Sequence, residues 1–146
     1  MKPMTIGRLS KAANVKITTI RYYESVGLMG TPDRSESGQR LYGSLDVERL
    51  SFIRHARELG FPMDDIRTLI ELQTHPSSDC AVVNKIAQNQ LGAVRKRLGQ
   101  LAALERELER MVTSCEGGKV ASCQVMASIN DHTECSSKDH ERIKPL

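Results

Sequence analysis

The chain has 146 residues, 27% of them charged and 39% hydrophobic, which fits one compact domain with an appendage and excludes a pair of full α/β domains. No run approaches 18 apolar residues, and Met1 to Arg8 lacks the apolar stretch of a secretion signal, so the sequence reads as cytoplasmic with no membrane partner. The net charge of +3 is mild, but residues 1–43 hold seven Lys/Arg against three Asp/Glu, leaving −1 for the remaining 103 residues.

In chain order, Thr5 precedes Ile6, Leu9, Ala12 and Ala13 at helical spacing, an N-cap and a short amphipathic helix. Residues 14–16 supply a turn. A second helix is expected through Thr18 to Glu24, with Ile20 and Tyr23 inward, stopping near Gly27. Two short helices about a tight turn, the second bearing Thr, Arg and Tyr, suit a helix-turn-helix that enters a DNA major groove; two packed helices with ordinary surface charge are the alternative. Pro32 to Tyr42 has a polar tip between short extended pieces and reads as a wing, with Arg34 and Arg40 flanking the tip where phosphates would pass. Ser44 opens a third helix with Leu45, Val47, Leu50, Phe52 and Ile53 apolar. On it, Arg54 and Arg57 are further candidates for phosphate contact, against a plain solvated face. After a break at Gly60-Phe61-Pro62, a fourth helix starts with Asp64 and Asp65 in its first turn and continues through Ile66, Leu69, Ile70 and Leu72.

The ordered set Thr5-Ile6-Gly7, Thr19-Ile20-Arg21-Tyr22-Tyr23-Glu24 with Gly27-Leu28, Gly38-Gln39-Arg40-Leu41-Tyr42 and Leu59-Gly60-Phe61 resembles the MerR family of bacterial transcription regulators. The resemblance spans residues 4–72, and the rest of the chain follows the same plan. It implies that Arg21 and Tyr22 on the recognition helix, and Arg34 and Arg40 on the wing, contact double-stranded promoter DNA. Gly38 at the wing tip belongs to the same interface. Lys16 and Thr18 match positions that vary in the family and select the operator.

All five aromatic residues (Tyr22, Tyr23, Tyr42, Phe52, Phe61) precede residue 62, and all four cysteines follow residue 79. A segment without aromatics lacks the side chains that dominate small cores. From Ala81 to about Thr113, apolar residues fall at Ala87, Leu91, Val94, Leu98, Leu101, Leu104, Leu108 and Met111, in steps of four and three with one irregular step near Leu101–Leu104. Arg95, Lys96, Arg97, Glu105, Arg106, Glu107, Glu109 and Arg110 fill the outer faces. One helix with so narrow a seam leaves apolar surface in water; a homodimeric coiled coil covers it, and packing onto the chain's own head is the alternative.

The cysteines give a geometric argument independent of family. Cys80 stands at the start of this helix and Cys115 just past its end, 35 residues on, which is roughly 50 Å of helix. Thiolates sharing one ion lie within about 4 Å of each other, with bonds of ~2.3 Å to zinc, so within one chain Cys80 and Cys115 do not meet. In an antiparallel pair the start of one helix lies beside the end of the other. The Gly-containing loop from Cys115 to Cys123 can fold both thiols onto one ion, predicting two sites per dimer, each with Cys115 and Cys123 of one subunit and Cys80 of the other. Cysteines at coil ends in a cytosolic chain are more often metal ligands than disulfide partners. His132 and Cys135, spaced His-x-x-Cys, and His140 form a candidate second set; a free or small buried thiol is the other reading of Cys135. His55 and His75 read as structural or solvated.

The resemblance implies the same cross-subunit geometry. In MerR-like sensors of divalent ions a cysteine stands at the Cys80 position, whereas the copper(I), silver and gold branch has serine. The Cys115-x7-Cys123 loop is nearer the copper-type length. Three thiolates on a divalent ion leave a charge of only −1, so ligand number favours zinc, cadmium or lead, with mercury next. The expected protein is mainly α. A winged helix-turn-helix domain with an accessory helix pair spans 1–75, an antiparallel dimerisation helix 80–113, and a metal-binding loop and tail 114–146. The resemblance implies metal-responsive activation of efflux or detoxification genes: the dimer binds between promoter elements spaced too far apart for RNA polymerase, and the ion biases it to bend and untwist the DNA. The alternatives are a copper(I), silver or gold regulator of the same family, a thiol redox sensor using Cys115 and Cys123, and a metal-storage protein. An enzyme is not expected, because no nucleophile–base set or phosphate loop occurs.

Overall fold

In the computed structural model, which describes residues 3–115 and 117–130, Thr5 opens helix α1 (Ile6–Ala13) by accepting the Arg8 N–H on Oγ1 at 3.4 Å. Asn14 ends it in the left-handed region, φ 56° and ψ 48°, a conformation Asn tolerates better than most residues. Ser10 Oγ donates to the Val15 carbonyl at 2.6 Å and holds the turn into α2 (Ile17–Ser25). Ala12, expected on the inner face of α1, is exposed; Leu9 and Ala13 carry that face.

The wing is a two-stranded antiparallel ribbon, β1 (Asp33–Arg34) and β2 (Arg40–Leu41), with Asp33 opposite Leu41 and Arg34 opposite Arg40. Gly38 takes φ +87° at the tip, where L side chains are strained, and its N–H donates to the Ser35 carbonyl at 2.9 Å. Met4 and Tyr42 exchange backbone hydrogen bonds of 2.8 and 2.9 Å, tying the wing's base to the N-terminal segment.

Helix α3 (Ser44–Glu58) begins where the Asp46 carboxylate accepts the Gly43 N–H at 2.8 Å. Helix α4 (Met63–Gln73) has Asp64 and Asp65 in its first turn, at the positive end of the helix dipole. The head's core is one cluster: Leu9 and Ala13 from α1, Ile20 and Tyr23 from α2, Leu50, Ile53 and Ala56 from α3, and Ile66 and Ile70 from α4. Met4, Leu28, Met29 and Tyr42 complete it. Apolar residues three and four apart on each helix therefore meet at a common centre.

Helix α5 (Ala81–Ser114) follows, then a 3₁₀ turn at Val120–Ser122 and a short helix α6 (Gln124–Asn130). The chain forms two compact units, one ending at Ile86 and the other beginning at Ala87. In the second unit Leu91, Val94, Leu98, Leu101 and Leu108 of the expected seam are 40–60% exposed in the single chain. Two residues depart from the expected pattern. Met111 is turned into its own chain and buried, and so is Glu107, which sequence periodicity places outside; with Ala103 they form a buried stripe at four-residue spacing. Among the described residues no helix is long and apolar enough to cross a membrane.

Candidate nucleic-acid interface and thiol sites

Lys16 is the N-cap residue of α2, extended at φ −62° and ψ 145°, and its side chain makes no capping bond. Lys16, Thr18, Arg21 and Tyr22 are exposed, while Ile20 and Tyr23 point into the core. Thr18, Arg21, Tyr22 and Ser25 stand at i, i+3, i+4 and i+7, one helical face. Tyr22 is 54% exposed, a large ring left in water on the polar side of α2.

The wing approaches the end of this face. Arg21, Glu24 and Ser25 of α2 line an open cleft with Arg34 and Arg40 of the wing, floored by the segment from Met29 to Pro32. Three arginines from α2 and the wing thus line one concavity, a composition that suits phosphate oxygens or the acceptor edge of guanine. Arg34 Nη1 donates to the Gly38 carbonyl at 2.8 Å across the tip. Ser35 Oγ accepts the Gln39 N–H at 3.1 Å and lies 2.8 Å from Ser37 Oγ, which stiffens the tip further.

Glu24 is the residue that the sequence left unassigned and the fold makes central. Its Oε2 accepts from Arg40 Nη1 at 3.2 Å and its Oε1 accepts the Tyr42 hydroxyl at 2.7 Å. The carboxylate is mostly buried while Arg40 stays 41% exposed. Glu24 therefore joins α2 to the wing and holds Arg40 at the cleft. Burial pushes the Tyr42 hydroxyl above its ordinary value of ten, and the Glu24 hydrogen bond and charge push it the same way against Arg40. Tyr23 is raised as well, by burial first, with Arg57 opposing.

The cleft does not include Arg54. Arg54 is partly buried on α3, its Nη1 bonded to Glu58 Oε1 at 3.2 Å, and its buried Nε has no hydrogen-bond partner among the described residues. Arg57 donates to the Phe61 carbonyl at 3.0 Å. Two further arginines brace the end of α2: Arg67 of α4 donates to the Val26 carbonyl at 2.7 Å and Arg49 of α3 to the Leu28 carbonyl at 3.1 Å. A long-range arginine–carbonyl bond has no sequence signature, because its partner is an ordinary backbone oxygen.

The thiols occupy helix boundaries. The Cys80 carbonyl accepts the Asn84 N–H at 2.8 Å, so Cys80 caps the start of α5. Cys115 is the first residue beyond α5, and its N–H donates to the Val112 carbonyl at 3.2 Å. Cys123 ends the 3₁₀ turn and its carbonyl accepts the Ala127 N–H at 3.1 Å, so it also starts α6. Cys80 and Cys115 are exposed and Cys123 is half-buried; none of the three is in a disulfide. Among the described residues of one chain, no three His, Cys, Asp or Glu side chains are grouped to hold a metal. His132, Cys135 and His140 lie outside the described residues.

Comparison with known proteins gives a consistent result. The profile described as "MerR HTH family regulatory protein" matches residues 4–73, and that described as "MerR, DNA binding" matches residues 47–111. The chain is 39% identical over 127 residues to the HTH-type transcriptional regulator ZntR of Escherichia coli K12, covering 85% of this chain and 90% of the relative. It is 35% identical over 130 residues to the mercuric resistance operon regulatory protein of Shigella flexneri, covering 88% and 89%. Among solved structures, the transcription regulator PbrR691 from Ralstonia metallidurans CH34 in complex with lead(II) matches with a TM-score of 0.76 at 38% identity, over 86% of this chain and 98% of that one. At this identity and coverage, the chain belongs to the MerR family of transcription regulators.

Proposed function

We propose that the protein works as a homodimer on double-stranded promoter DNA, activating metal efflux or detoxification genes when a soft divalent ion binds. The observation that carries this reading is the placement of the thiols. Cys80 begins a 34-residue helix and Cys115 follows its end, about 50 Å of helix, and one chain groups no three ligands among its described residues. Pairing two α5 helices antiparallel covers the exposed leucine seam. It also brings Cys115 and Cys123 of one subunit beside Cys80 of the other. Three thiolates fit zinc, cadmium, lead or mercury in donor chemistry and charge. The names of the relatives support a metal effector, and the lead(II) complex of PbrR691 supports a soft divalent one.

When bound, the ion supplies a bridge between the start of one long helix and the loop that follows the other. The protein's own groups do the rest. Arg21, with Lys16, Thr18 and Tyr22, meets the major groove; Arg34 and Arg40, with the Gly38 tip, grip the backbone beside it; Glu24 keeps the two elements in register. A bridge that spans the dimer favours one arrangement of the two heads, and the DNA between them is bent and untwisted until RNA polymerase engages both promoter elements. The site of action is the cytoplasm, where promoter DNA and polymerase reside.

The test is a footprint of the purified protein on the DNA upstream of its target genes, with and without zinc, lead(II) and copper(I). Protection is expected in both states, with hyperreactive bases at the centre of the operator only when a divalent ion is present. A footprint that vanishes on adding metal contradicts activation by distortion and indicates simple derepression. Sedimentation of a monomer at micromolar concentration contradicts the shared site.

A further inference from the structure

Glu107 is a charged residue only 1% exposed, and neither the DNA interface nor the thiol set uses it. Its Oε1 accepts from both Nε and Nη2 of Arg110, one turn further along α5. The same Nη2 donates to Ser128 Oγ at 3.0 Å. Ser128 lies on α6 and is itself buried, 4% exposed. A chain of polar contacts, buried at Glu107 and Ser128 and partly exposed at Arg110, therefore runs from the long helix to the short one, where an apolar contact would have been the default.

Its position in the chain gives it a use. Arg110 comes five residues before Cys115, and Ser128 comes five residues after Cys123. The bond closes the segment 110–128 at its base, with both thiols the same short distance inside the closure. Between them the loop contains Gly117 and Gly118, both at positive φ, which by themselves leave the backbone permissive. Fastening α6 onto α5 removes much of the freedom that the two sulfurs would otherwise lose on closing around an ion. Glu107 orients the fork: with Nε and Nη2 both committed to one carboxylate oxygen, the guanidinium plane is fixed and Nη2 is aimed at Ser128.

We infer that Glu107, Arg110 and Ser128 are positioning residues that hold the Cys115–Cys123 loop ready for metal. The inference rests on the reading of Cys115 and Cys123 as ligands. Partners that orient metal ligands change affinity by about 10–100-fold when removed, which sets the size of effect to look for.

The experiment uses the full-length protein and measures zinc and lead(II) affinity by competition with a chromophoric chelator, together with amide hydrogen exchange of the metal-free protein. Ser128→Ala is expected to weaken both ions by about tenfold and to speed exchange in α6 while leaving exchange in the head unchanged. Ser128→Thr, which keeps the hydroxyl, is expected to retain the affinity. Glu107→Gln, which keeps the shape and loses the charge, should move affinity in the same direction as Ser128→Ala. Wild-type affinity and wild-type α6 exchange in Ser128→Ala overturn the inference. Cys123→Ser separates the two layers: if it loses metal while Ser128→Ala does not, only the positioning role fails, and if it keeps metal, the ligand assignment fails with it.

Discussion

The head and the tail solve the burial problem in opposite ways. Four helices of the head send Leu9, Ile20, Leu50, Ile53 and Ile66 to a common centre, each with essentially no exposure, so the first unit builds its core within one chain. The second unit leaves Leu91, Val94, Leu98, Leu101 and Leu108 at 40–60% exposure in the single chain and buries Glu107 instead. A helix whose apolar stripe faces water is completed by association. The contrast teaches that the head buries its core within one chain, while the tail presents an apolar stripe that the proposed dimer would cover.

The largest effects should come from striking each region where it buries its apolar surface. Ile53→Ala, in the head, should cost about 2–5 kcal/mol of unfolding free energy while the protein remains dimeric. Leu98→Asp, on the seam, should abolish the dimer by sedimentation, and with it operator and metal binding, yet leave the head's cooperative unfolding in place. A dimeric Leu98→Asp variant would remove the seam from the interface.

Next is the bridge itself. Cys80→Ser should weaken zinc and lead(II) by orders of magnitude in chelator competition and spare copper(I), which two thiolates satisfy. Equal losses for all three ions would undo the argument from ligand number. Arg21→Ala should follow, reducing operator affinity about tenfold or more in a gel shift at fixed salt without altering dimerisation or metal affinity.

The smallest effect concerns the joint between helix and wing. Glu24→Gln removes the charge held by Arg40 and Tyr42 and should cost about 1–2 kcal/mol of head stability. It should also bring the Tyr42 ionisation down in an ultraviolet titration, though burial, the larger cause, keeps it above its ordinary value. Because the folded-state value is raised, the stability linked to the Tyr42 proton is complete below pH ~10 and is lost as pH rises through the folded value. Alkaline unfolding is therefore expected to be shallower in Tyr42→Phe, measured by circular dichroism above pH 10.

Much of this molecule was legible residue by residue. The Thr5 cap, the turn at 14–16, the Gly38 tip and the acids opening α4 are local signals, because each depends on neighbours within four positions. The inward faces of the head followed from spacing, apart from Ala12 and from Leu45 in the first turn of α3, both of which the structure leaves exposed. The thiol placement at both ends of α5 was equally readable, since helix length converts directly into distance. Arg54, expected at the DNA interface, pairs with Glu58 one turn on in the free chain, a contact that a lone arginine on a helix makes with or without DNA.

What the sequence by itself determined is therefore helices α1 to α5, the wing, the seam and the reach of the cysteines, all consequences of local periodicity and backbone geometry; helix α6, in the stretch expected as loop and tail, was not among them. Tertiary structure decided which side chains bridge distant segments. Glu24 finds Arg40 and Tyr42 from 16 and 18 residues away, and Arg110 finds Ser128 from 18 away. The burial of Met111 and Glu107 on one stripe belongs to the same class. Hydrogen bonds of that kind leave no periodic trace, because the partner's position is set by how elements pack and not by its place along the chain.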